Sequence, residues 1–298
     1  MNIVVFGAGA IGSFIGGVLS KNNSVVLIGR KPHVNTIKKN SLKIKGKTKL
    51  NIEINAEESV KDINFQPDLL ILTVKSFDTE NAIKDAKKII DKDTVVLSLQ
   101  NGLDNIDKIK NHVDANQIIV GTTTNGCVFS EPGIIIHTGI GKTVFGEIDG
   151  HKSQRISDIV DMFNKSGIKS NISRDIIKEI WIKAIANSSI NPLTSFFNCK
   201  NGYLLENPIL EKILEKICEE STKIANTTSL NLSNIDMVKK TKEVIGDTSE
   251  NYSSMLQSIQ QNKKTEIDSI NGKLVEIGEK NKVDVSLNKV LVNLIKNL

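Results

Sequence analysis

The stretch Ile3-Val4-Val5-Phe6-Gly7-Ala8-Gly9-Ala10-Ile11-Gly12 decides the fold of the first half of the chain. Its first four residues are an apolar run, which is typical of a strand buried on both faces. Helical spacing of apolar residues begins after Gly12, and a second strand-like run extends from Ser24 to Ile28. The order strand, glycine-rich turn, helix, strand predicts a Rossmann-type unit far more specifically than the glycine pattern alone.

The glycines of this turn have a physical purpose in such a unit. They permit a tight turn and let the backbone approach a pyrophosphate, while the following helix N-terminus offers free N–H groups. A glycine-rich turn without a ligand is the structural alternative. We predict that a dinucleotide binds to the backbone of Gly7, Ala8, Gly9, Ala10, Ile11 and Gly12.

The end of the second strand bears on which dinucleotide is bound. An Asp or Glu is expected there for NAD, because its carboxylate holds the ribose 2′-hydroxyl. This strand ends instead in Gly29-Arg30-Lys31. An arginine fork binds a phosphate bidentately, whereas a carboxylate would repel it. We therefore predict NADP(H), with Arg30 on the 2′-phosphate; the alternative is that Arg30 is an ordinary surface residue.

Two further apolar runs predict central parallel strands. Asp68–Val74 leads into Lys75, and Thr94–Leu99 leads to Asn101 through Gln100. Ligands of open α/β sheets bind beyond the carboxyl ends of the strands, so Lys75 and Asn101 are candidate binding residues. A simple turn at Asn101-Gly102 is the alternative. Other strands of this half are predicted at 41–45 and 49–54 (a hairpin), 118–124, 133–138, 142–147 and 168–172.

The second half of the chain predicts helices only. From Arg174 onward the apolar period changes from 2 to 3.6, which predicts two domains, residues 1–173 and 174–298. Within 181–194, Lys183, Asn187 and Asn191 fall at i, i+4 and i+8, so they form one polar line on a helix. When this helix is considered alone, the polar line is better explained as a solvent-exposed face. Pro192 is expected to bend or end it near Asn191.

Composition narrows the functional class. The chain has 298 residues, 39 basic and 34 acidic, and no basic run interleaved with aromatic residues. Nucleic-acid binding is therefore poorly supported. Its three cysteines form no CxxC pair, so neither a disulfide framework nor a zinc site is expected. Five glycines interrupt the uncharged stretch 3–20, which suits neither a signal peptide nor a membrane span, and a cytoplasmic protein is expected.

Taken together, these motifs resemble the ketopantoate reductase family over nearly the full length and in the same order. That family joins a Rossmann domain to an all-helical domain like that of 6-phosphogluconate dehydrogenase. The resemblance rests on Gly7–Gly12, Val74-Lys75, Gln100–Gly102, Gly121–Thr124, Trp181–Lys183, Asn187, Ile190–Thr194, Asn198-Cys199, Asn201-Gly202, Ser253–Gln257 and Thr265–Asp268.

The resemblance implies roles for individual residues. Lys183 matches the family's general acid, and Glu266 its active-site carboxylate; helix capping is the alternative for Glu266. Arg30, Lys75, Asn101 and Gly126 are placed with the cofactor. The expected substrate contacts are Asn101, Asn187, Asn191, Asn201 and Ser254. Asp78 and Ser258 depart from the family pattern, which bears on the details of substrate grip.

The resemblance also implies an activity: NADPH-dependent reduction of ketopantoate to pantoate in pantothenate biosynthesis, without a metal. Two alternatives stay open. One is a reductase of another 2-oxo acid, and the other is a non-catalytic NADP-sensing protein, which would not need Lys183 and Glu266. No membrane partner is expected, and a homodimer is one option for the assembly.

Overall fold

The computed structural model describes all 298 residues. The chain divides into two compact units, and each is described by itself. The sheet unit comprises Met1–Gln100 and Asn105–Glu179. The helical unit comprises Asn101–Asp104 and Ile180–Leu298. The short segment Asn101–Asp104, which follows the strand Val95–Ser98 of the sheet unit, thus belongs to the helical unit.

An eight-stranded sheet forms the centre of the sheet unit, in the order β12-β11-β8-β7-β6-β1-β2-β5. All neighbours pair in parallel except β8 and β11, which are antiparallel. The chain runs from β1 outward to one side and returns to β6 on the other, so the topological switch point lies at β1 and β6. The strands are β1 Asn2–Phe6, β2 Ser24–Ile28, β5 Asn55–Glu57, β6 Leu69–Leu72, β7 Val95–Ser98, β8 Ile118–Thr123, β11 Thr143–Glu147 and β12 Ser170–Ile172.

A second sheet of four strands, in the order β4-β3-β10-β9, packs against the first helix. Its strands are β3 Leu42–Gly46, β4 Leu50–Ile52, β9 Gly126–Glu131 and β10 Ile134–Gly139. The predicted hairpin is present as β3 and β4, which are antiparallel. The run at 133–138 does not complete the main sheet as predicted, because β10 pairs with β3 and β9 instead.

Helices cover the main sheet: α1 Ala10–Leu19, α2 Lys31–Asn40, α3 Thr79–Ala86, α4 Asn105–Lys110 and α5 Gln154–Lys165. The four residues of β6 have no exposed surface, as expected for a central parallel strand. Two buried histidines belong to or contact the second sheet: His137 lies on β10, and His33 packs against Phe129 of β9. His137 forms a hydrogen bond with Thr48 at 2.8 Å and packs against the ring of Phe14, which fits a structural role.

The helical unit contains no strand. Its elements are α6 Ile176–Phe197 (counted here from its start in the sheet unit), α7 Tyr203–Glu206, α8 Pro208–Ala225, α9 Met237–Asp247, α10 Ser254–Gln260, a π-helical turn Asp268–Gly272, α11 Lys273–Lys280 and α12 Ser286–Lys296. Pro192 does not end α6, which continues to Phe197. None of the helices has the length and apolar character that crossing a membrane requires.

Candidate active site

The glycine-rich turn is built so that only glycine fits at two of its positions. Gly7 has a φ of 114°, and a Cβ there would lie 2.6 Å from the backbone nitrogen of Val74. A Cβ on Gly12 would lie 2.2 Å from the carbonyl oxygen of Gly7. The turn is fixed to the end of β2, because the N–H groups of Gly7 and Ala8 both donate to the Ile28 carbonyl, at 3.0 and 2.8 Å.

Gly9 differs from its neighbours, because the space where a Cβ would point is open. The nearest atom to that Cβ is the Gly7 carbonyl oxygen, at 4.0 Å. Gly9 is the N-cap of α1, and no side chain caps the first N–H groups of this helix. Packing does not require a glycine here, whereas close approach of a phosphate does. The turn therefore fits a dinucleotide pyrophosphate.

Arg30 and Lys75 each directly follow a residue that lies beside this turn. Arg30 is exposed at the start of α2, and a Cβ on the preceding Gly29 would lie 2.8 Å from that of Ala8. Lys75 lies three residues beyond the end of β6. It follows Val74, whose backbone is next to Gly7. The edge on which both residues were predicted is thus the edge that carries the glycine turn.

Gly126 lies at the start of β9 rather than in a turn of the main sheet. A Cβ on Gly126 would lie 2.8 Å from the hydroxyl of Thr138 on β10, so tight packing between these strands already explains the glycine. Its predicted contact with the cofactor stays a prediction.

Lys183 and Glu266 interact in the helical unit, although 83 residues separate them in the chain. Burial lowers the pKa of Lys183 to about 8, and the negative charge of Glu266 acts in the opposite direction. Glu266 is itself buried, so this carboxylate is not a surface helix cap. A lysine with a pKa near neutrality beside a carboxylate is suited to proton transfer.

Asn101 belongs to the same group of side chains. Its amide donates to Oε2 of Glu266 at 3.5 Å. The residues that follow hold the segment in place: the Leu103 N–H donates to the Ser269 carbonyl at 3.0 Å, and the Ser269 hydroxyl donates to Asp104 at 3.3 Å. The structure therefore brings Asn101 to the carboxylate of the lysine–glutamate pair.

The polar line on α6 is not a solvated face. Asn191 is buried, and Lys183 and Asn187 are partly buried. Asn201 is also buried and donates to the Thr248 hydroxyl at 3.0 Å, but its Oδ1 has no hydrogen-bond partner. An unsatisfied buried acceptor is costly unless something binds to it. It fits a role in holding a donor group of a ligand.

Ser254 is exposed at the first position of α10, whereas its neighbour Ser253 is buried. Ser253 caps α10 and accepts a hydrogen bond from Thr194 at 2.8 Å. The buried Ser258 hydroxyl donates to the Ser254 carbonyl at 3.0 Å, so this departure from the family pattern serves the helix itself.

Sequence reasoning missed Asn271, which is fully buried in the π-helical turn and donates to the carbonyl of Ser188 on α6. One signal was available: Pro192 inside a helical pattern leaves the carbonyl four residues earlier without its usual donor.

A Rossmann-type unit with an open glycine turn, followed by a helical unit in which a lysine and a buried glutamate interact, is typical of two-domain oxidoreductases. Models of protein families match both parts. Residues 3–150 match ketopantoate reductase PanE/ApbA, and residues 175–298 match the C-terminal part of the same family. The chain belongs to the ketopantoate reductase family.

Relatives and solved structures agree with this assignment. The 2-dehydropantoate 2-reductases of Pyrococcus abyssi and Pyrococcus horikoshii are each 40% identical, over 99% of this chain and 97% of theirs. A D-mandelate dehydrogenase with NADH and anilino(oxo)acetate superposes with a TM-score of 0.94 at 27% identity, over 100% of this chain and 98% of that one. A ketopantoate reductase from Ralstonia eutropha gives 0.89 at 25% identity, with the same coverage.

Proposed function

We propose that this protein is a 2-dehydropantoate 2-reductase, which reduces ketopantoate to pantoate with NADPH and so serves pantothenate biosynthesis. The observation that carries the proposal is the interaction of the partly buried Lys183 with the buried Glu266, whose carboxylate also accepts a hydrogen bond from Asn101. A protein that only senses NADP would have no use for a lysine whose pKa is lowered to about 8. The curated relatives of 40% identity support the choice of substrate.

NADPH fits the sheet unit. The backbone of residues 7–12 would hold the pyrophosphate at the open space above Gly9, and Arg30 would bind the 2′-phosphate. Lys75 and Gly126 are proposed as further contacts, and Asn101 would meet the cofactor as well as the substrate. The chemistry that NADPH would supply at this site is a hydride for the ketone carbon. The D-mandelate dehydrogenase structures hold NADH, which has no 2′-phosphate. A substitution of Arg30 therefore tests whether this protein prefers NADPH.

Lys183 would deliver the proton. With a pKa of about 8, the side chain is mostly ammonium at neutral pH, yet it gives up a proton more readily than an exposed lysine. It polarises the ketone oxygen and then donates its proton to the alkoxide that forms there. A general acid of this kind accelerates a reaction about 10²–10⁴-fold. Glu266 keeps Lys183 charged by raising its pKa, against the effect of burial.

The asparagines would hold the substrate. Asn187 and Asn191 follow Lys183 along one face of α6. If the ketone oxygen of the substrate bonds to Lys183, the remainder of the 2-oxo acid would lie beside the amides of the two asparagines. The Oδ1 of Asn201 is an acceptor with no partner, which suits the hydroxyl group of ketopantoate. Ser254 is proposed as a further contact at the exposed start of α10.

A reductase of another 2-oxo acid is the second candidate, and one observation favours it. The backbone superposes on D-mandelate dehydrogenase with a TM-score of 0.94. Both candidates use the same proton donor, so the difference lies in the residues that hold the acid. An unpartnered acceptor at Asn201 favours a substrate with a hydroxyl group over an aryl 2-oxo acid.

The assembly is proposed to be a homodimer. Leu287, Val290, Leu294 and Leu298 are exposed apolar residues at helical spacing on α12 and just beyond its end. An exposed apolar stripe of this kind is typical of a surface that meets another chain. Sedimentation at micromolar concentration tests this proposal, and a monomer there would contradict it.

Two further expectations remain proposals. We place the domain boundary at residue 173, with the substrate domain from 174 onward. We also place the protein in the cytoplasm, a reducing compartment, in which its three cysteines would persist as the free thiols seen in the structure.

The proposed activity is tested by NADPH oxidation with ketopantoate and with a panel of other 2-oxo acids, including phenylglyoxylate, the 2-oxo acid of mandelate. We expect the highest kcat/KM with ketopantoate and NADPH. Better turnover of an aryl 2-oxo acid would support the second candidate. If the protein binds NADPH but turns over none of the acids, the result would support a non-catalytic NADP-sensing protein.

A further inference from the structure

Pro192 creates a defect in α6 that another part of the chain repairs. In a regular helix the N–H of residue 192 would donate to the carbonyl of Ser188, but proline has no N–H. Ser188 and Pro192 are both buried, so water does not supply the missing donor. Nδ2 of Asn271 donates to this carbonyl at 2.9 Å. The partner that the proline removes is thus replaced by a side chain from a distant segment.

Asn271 and Glu266 belong to one hydrogen-bonded segment. The carbonyl of Glu266 accepts from the N–H groups of Ser269 and Ile270, at 3.1 and 3.2 Å. The π-helical turn that follows ends with the Gly272 N–H on the Ile267 carbonyl, at 2.9 Å. Turns of this type are rare and occur often at functional sites. Fixing Asn271 therefore fixes the backbone from which the Glu266 side chain extends.

A closed ring of buried polar groups fixes Asn271 in turn. Its amide also donates to Oδ1 of Asn288 at 2.9 Å, and the Asn288 amide donates to Ser221 at 3.1 Å. The Ser221 hydroxyl bonds that of Ser188 at 3.0 Å, which returns the ring to α6. All four of these residues have no exposed surface. Asn271 donates both of its amide bonds within this network, while its Oδ1 has no partner. A hydrogen-bonded network in a buried site favours one arrangement of its helices, because breaking it leaves further polar groups unpaired.

Glu220 anchors this ring on α8. Its Oε1 accepts from the backbone and side-chain amides of Asn288, both at 2.8 Å, and its Oε2 accepts from the Leu287 N–H at 3.0 Å. The carboxylate thereby serves the first turn of α12, where negative charge is favourable. The ring therefore connects α6, α8, α12 and the π-helical turn.

We propose that Asn271 is a positioning residue: by bonding the carbonyl that Pro192 leaves free, it sets the turn that carries Glu266 against the part of α6 that carries Lys183. Ser188 is five residues beyond Lys183, about 7.5 Å along the helix. The consequence for turnover rests on the proposed function, whereas the positioning is a property of the protein without substrate.

The test is the pKa of Lys183, measured by NMR in protein with ¹³C-labelled lysine, with no cofactor or substrate present. The Lys183 resonance is identified by its loss in Lys183→Gln. In Asn271→Ala the Glu266 carboxylate is no longer held near Lys183, so we expect the pKa of Lys183 to fall by about one unit.

Two further variants separate positioning from stability. Ser221→Ala removes a hydroxyl from the ring but leaves both bonds of Asn271, and it should keep the wild-type pKa of Lys183. The double variant Pro192→Ala/Asn271→Ala restores a backbone N–H for the Ser188 carbonyl. It should regain thermal stability relative to Asn271→Ala while the pKa of Lys183 stays low, and it serves as the test if Asn271→Ala does not fold.

A wild-type pKa of Lys183 in Asn271→Ala, or in the double variant, would overturn the proposal. An equal fall in Ser221→Ala would also overturn it, because the effect would then follow from loss of stability alone. These outcomes do not depend on the substrate. Failure of the wild type to reduce ketopantoate would contradict the proposed function. The NMR measurement of the Lys183 pKa would still test the role of Asn271.

Discussion

The glycine turn of the sheet unit and the lysine–glutamate centre of the helical unit are built in opposite ways. The turn consists of six consecutive residues whose backbone forms the site, and the lack of side chains at its glycines is what lets a ligand approach. The second centre collects side chains from Asn101, Lys183 and Glu266, which are far apart in the chain. A site made of backbone is thus encoded locally, whereas a site made of side chains depends on how distant helices pack.

The largest effect is expected from removing the charge at the second centre. Lys183→Gln should lower kcat about 10²–10⁴-fold, because no group then delivers the proton. The Kd of NADPH should not change, because Lys183 is not one of the residues that are proposed to hold the cofactor. Steady-state kinetics and fluorescence titration measure the two quantities. Lys178→Gln on the same helix is the control, and equal turnover of the two variants would remove Lys183 from the mechanism.

Arg30→Ala examines the side chain that is expected to bind the 2′-phosphate of the cofactor. Losing hydrogen bonds to a charged phosphate costs about 1.5–3 kcal/mol, so the Kd of NADPH should rise roughly ten- to hundredfold. The Kd of NADH should stay the same. The exposed Arg174 offers a matched control as Arg174→Ala. A similar loss for both cofactors would show that Arg30 does not bind the 2′-phosphate.

Two glycines separate packing from binding within the turn. Gly12→Ala places a methyl group 2.2 Å from the Gly7 carbonyl, and we expect a loss of about 1–3 kcal/mol in the free energy of unfolding. Gly9→Ala meets open space and should change stability by less than about 0.5 kcal/mol. Both should weaken NADPH binding. Unchanged binding in Gly9→Ala, measured beside denaturant unfolding curves, would contradict the pyrophosphate site.

A buried histidine makes the sheet unit sensitive to acid. The Gly133 N–H donates to Nδ1 of His33 at 2.9 Å, and Nε2 bonds Ser13 at 2.9 Å, which suits the neutral ring. Burial lowers the pKa of His33 to about 4. The unfolded chain binds a proton below about pH 6.5, so stability is full above that pH and falls toward pH 4.

The corresponding loss is about 2 kcal/mol between pH 7 and pH 5. Urea unfolding at the two pH values measures it. His33→Gln does not titrate there, and its pH dependence should be smaller by that amount. The same slope in both proteins would assign the acid sensitivity to other groups.

The two sites also differ in how far the sequence predicts them. The run Ile3 to Gly12 predicted a strand, a tight turn and a helix, because local sterics and apolar periodicity act within a few residues. The spacing of Lys183, Asn187 and Asn191 predicted a shared helix face but not its burial. The partner of Lys183 came from family resemblance, because no local pattern relates it to Glu266.

The wrong predictions have a common cause, which is packing between distant segments. Pro192 was expected to bend or end α6; it does not end the helix, which continues to Phe197, and Asn271 supplies the missing donor. The strand β10 pairs with β3, some 90 residues earlier in the chain, to form the second sheet. In both cases the deciding partner is remote in sequence, so neither propensity nor periodicity reveals it.

The pH dependence of kcat/KM for ketopantoate, at saturating NADPH, tests most directly the claim that Lys183 is a proton donor held charged by Glu266. Deprotonation of Lys183, whose pKa is about 8, should lower kcat/KM as the pH rises above that value. In Glu266→Gln the decline should begin at lower pH, because the charge that raises the pKa is gone. A profile that stays flat to pH 9.5, or a decline that does not move in Glu266→Gln, would contradict the claim.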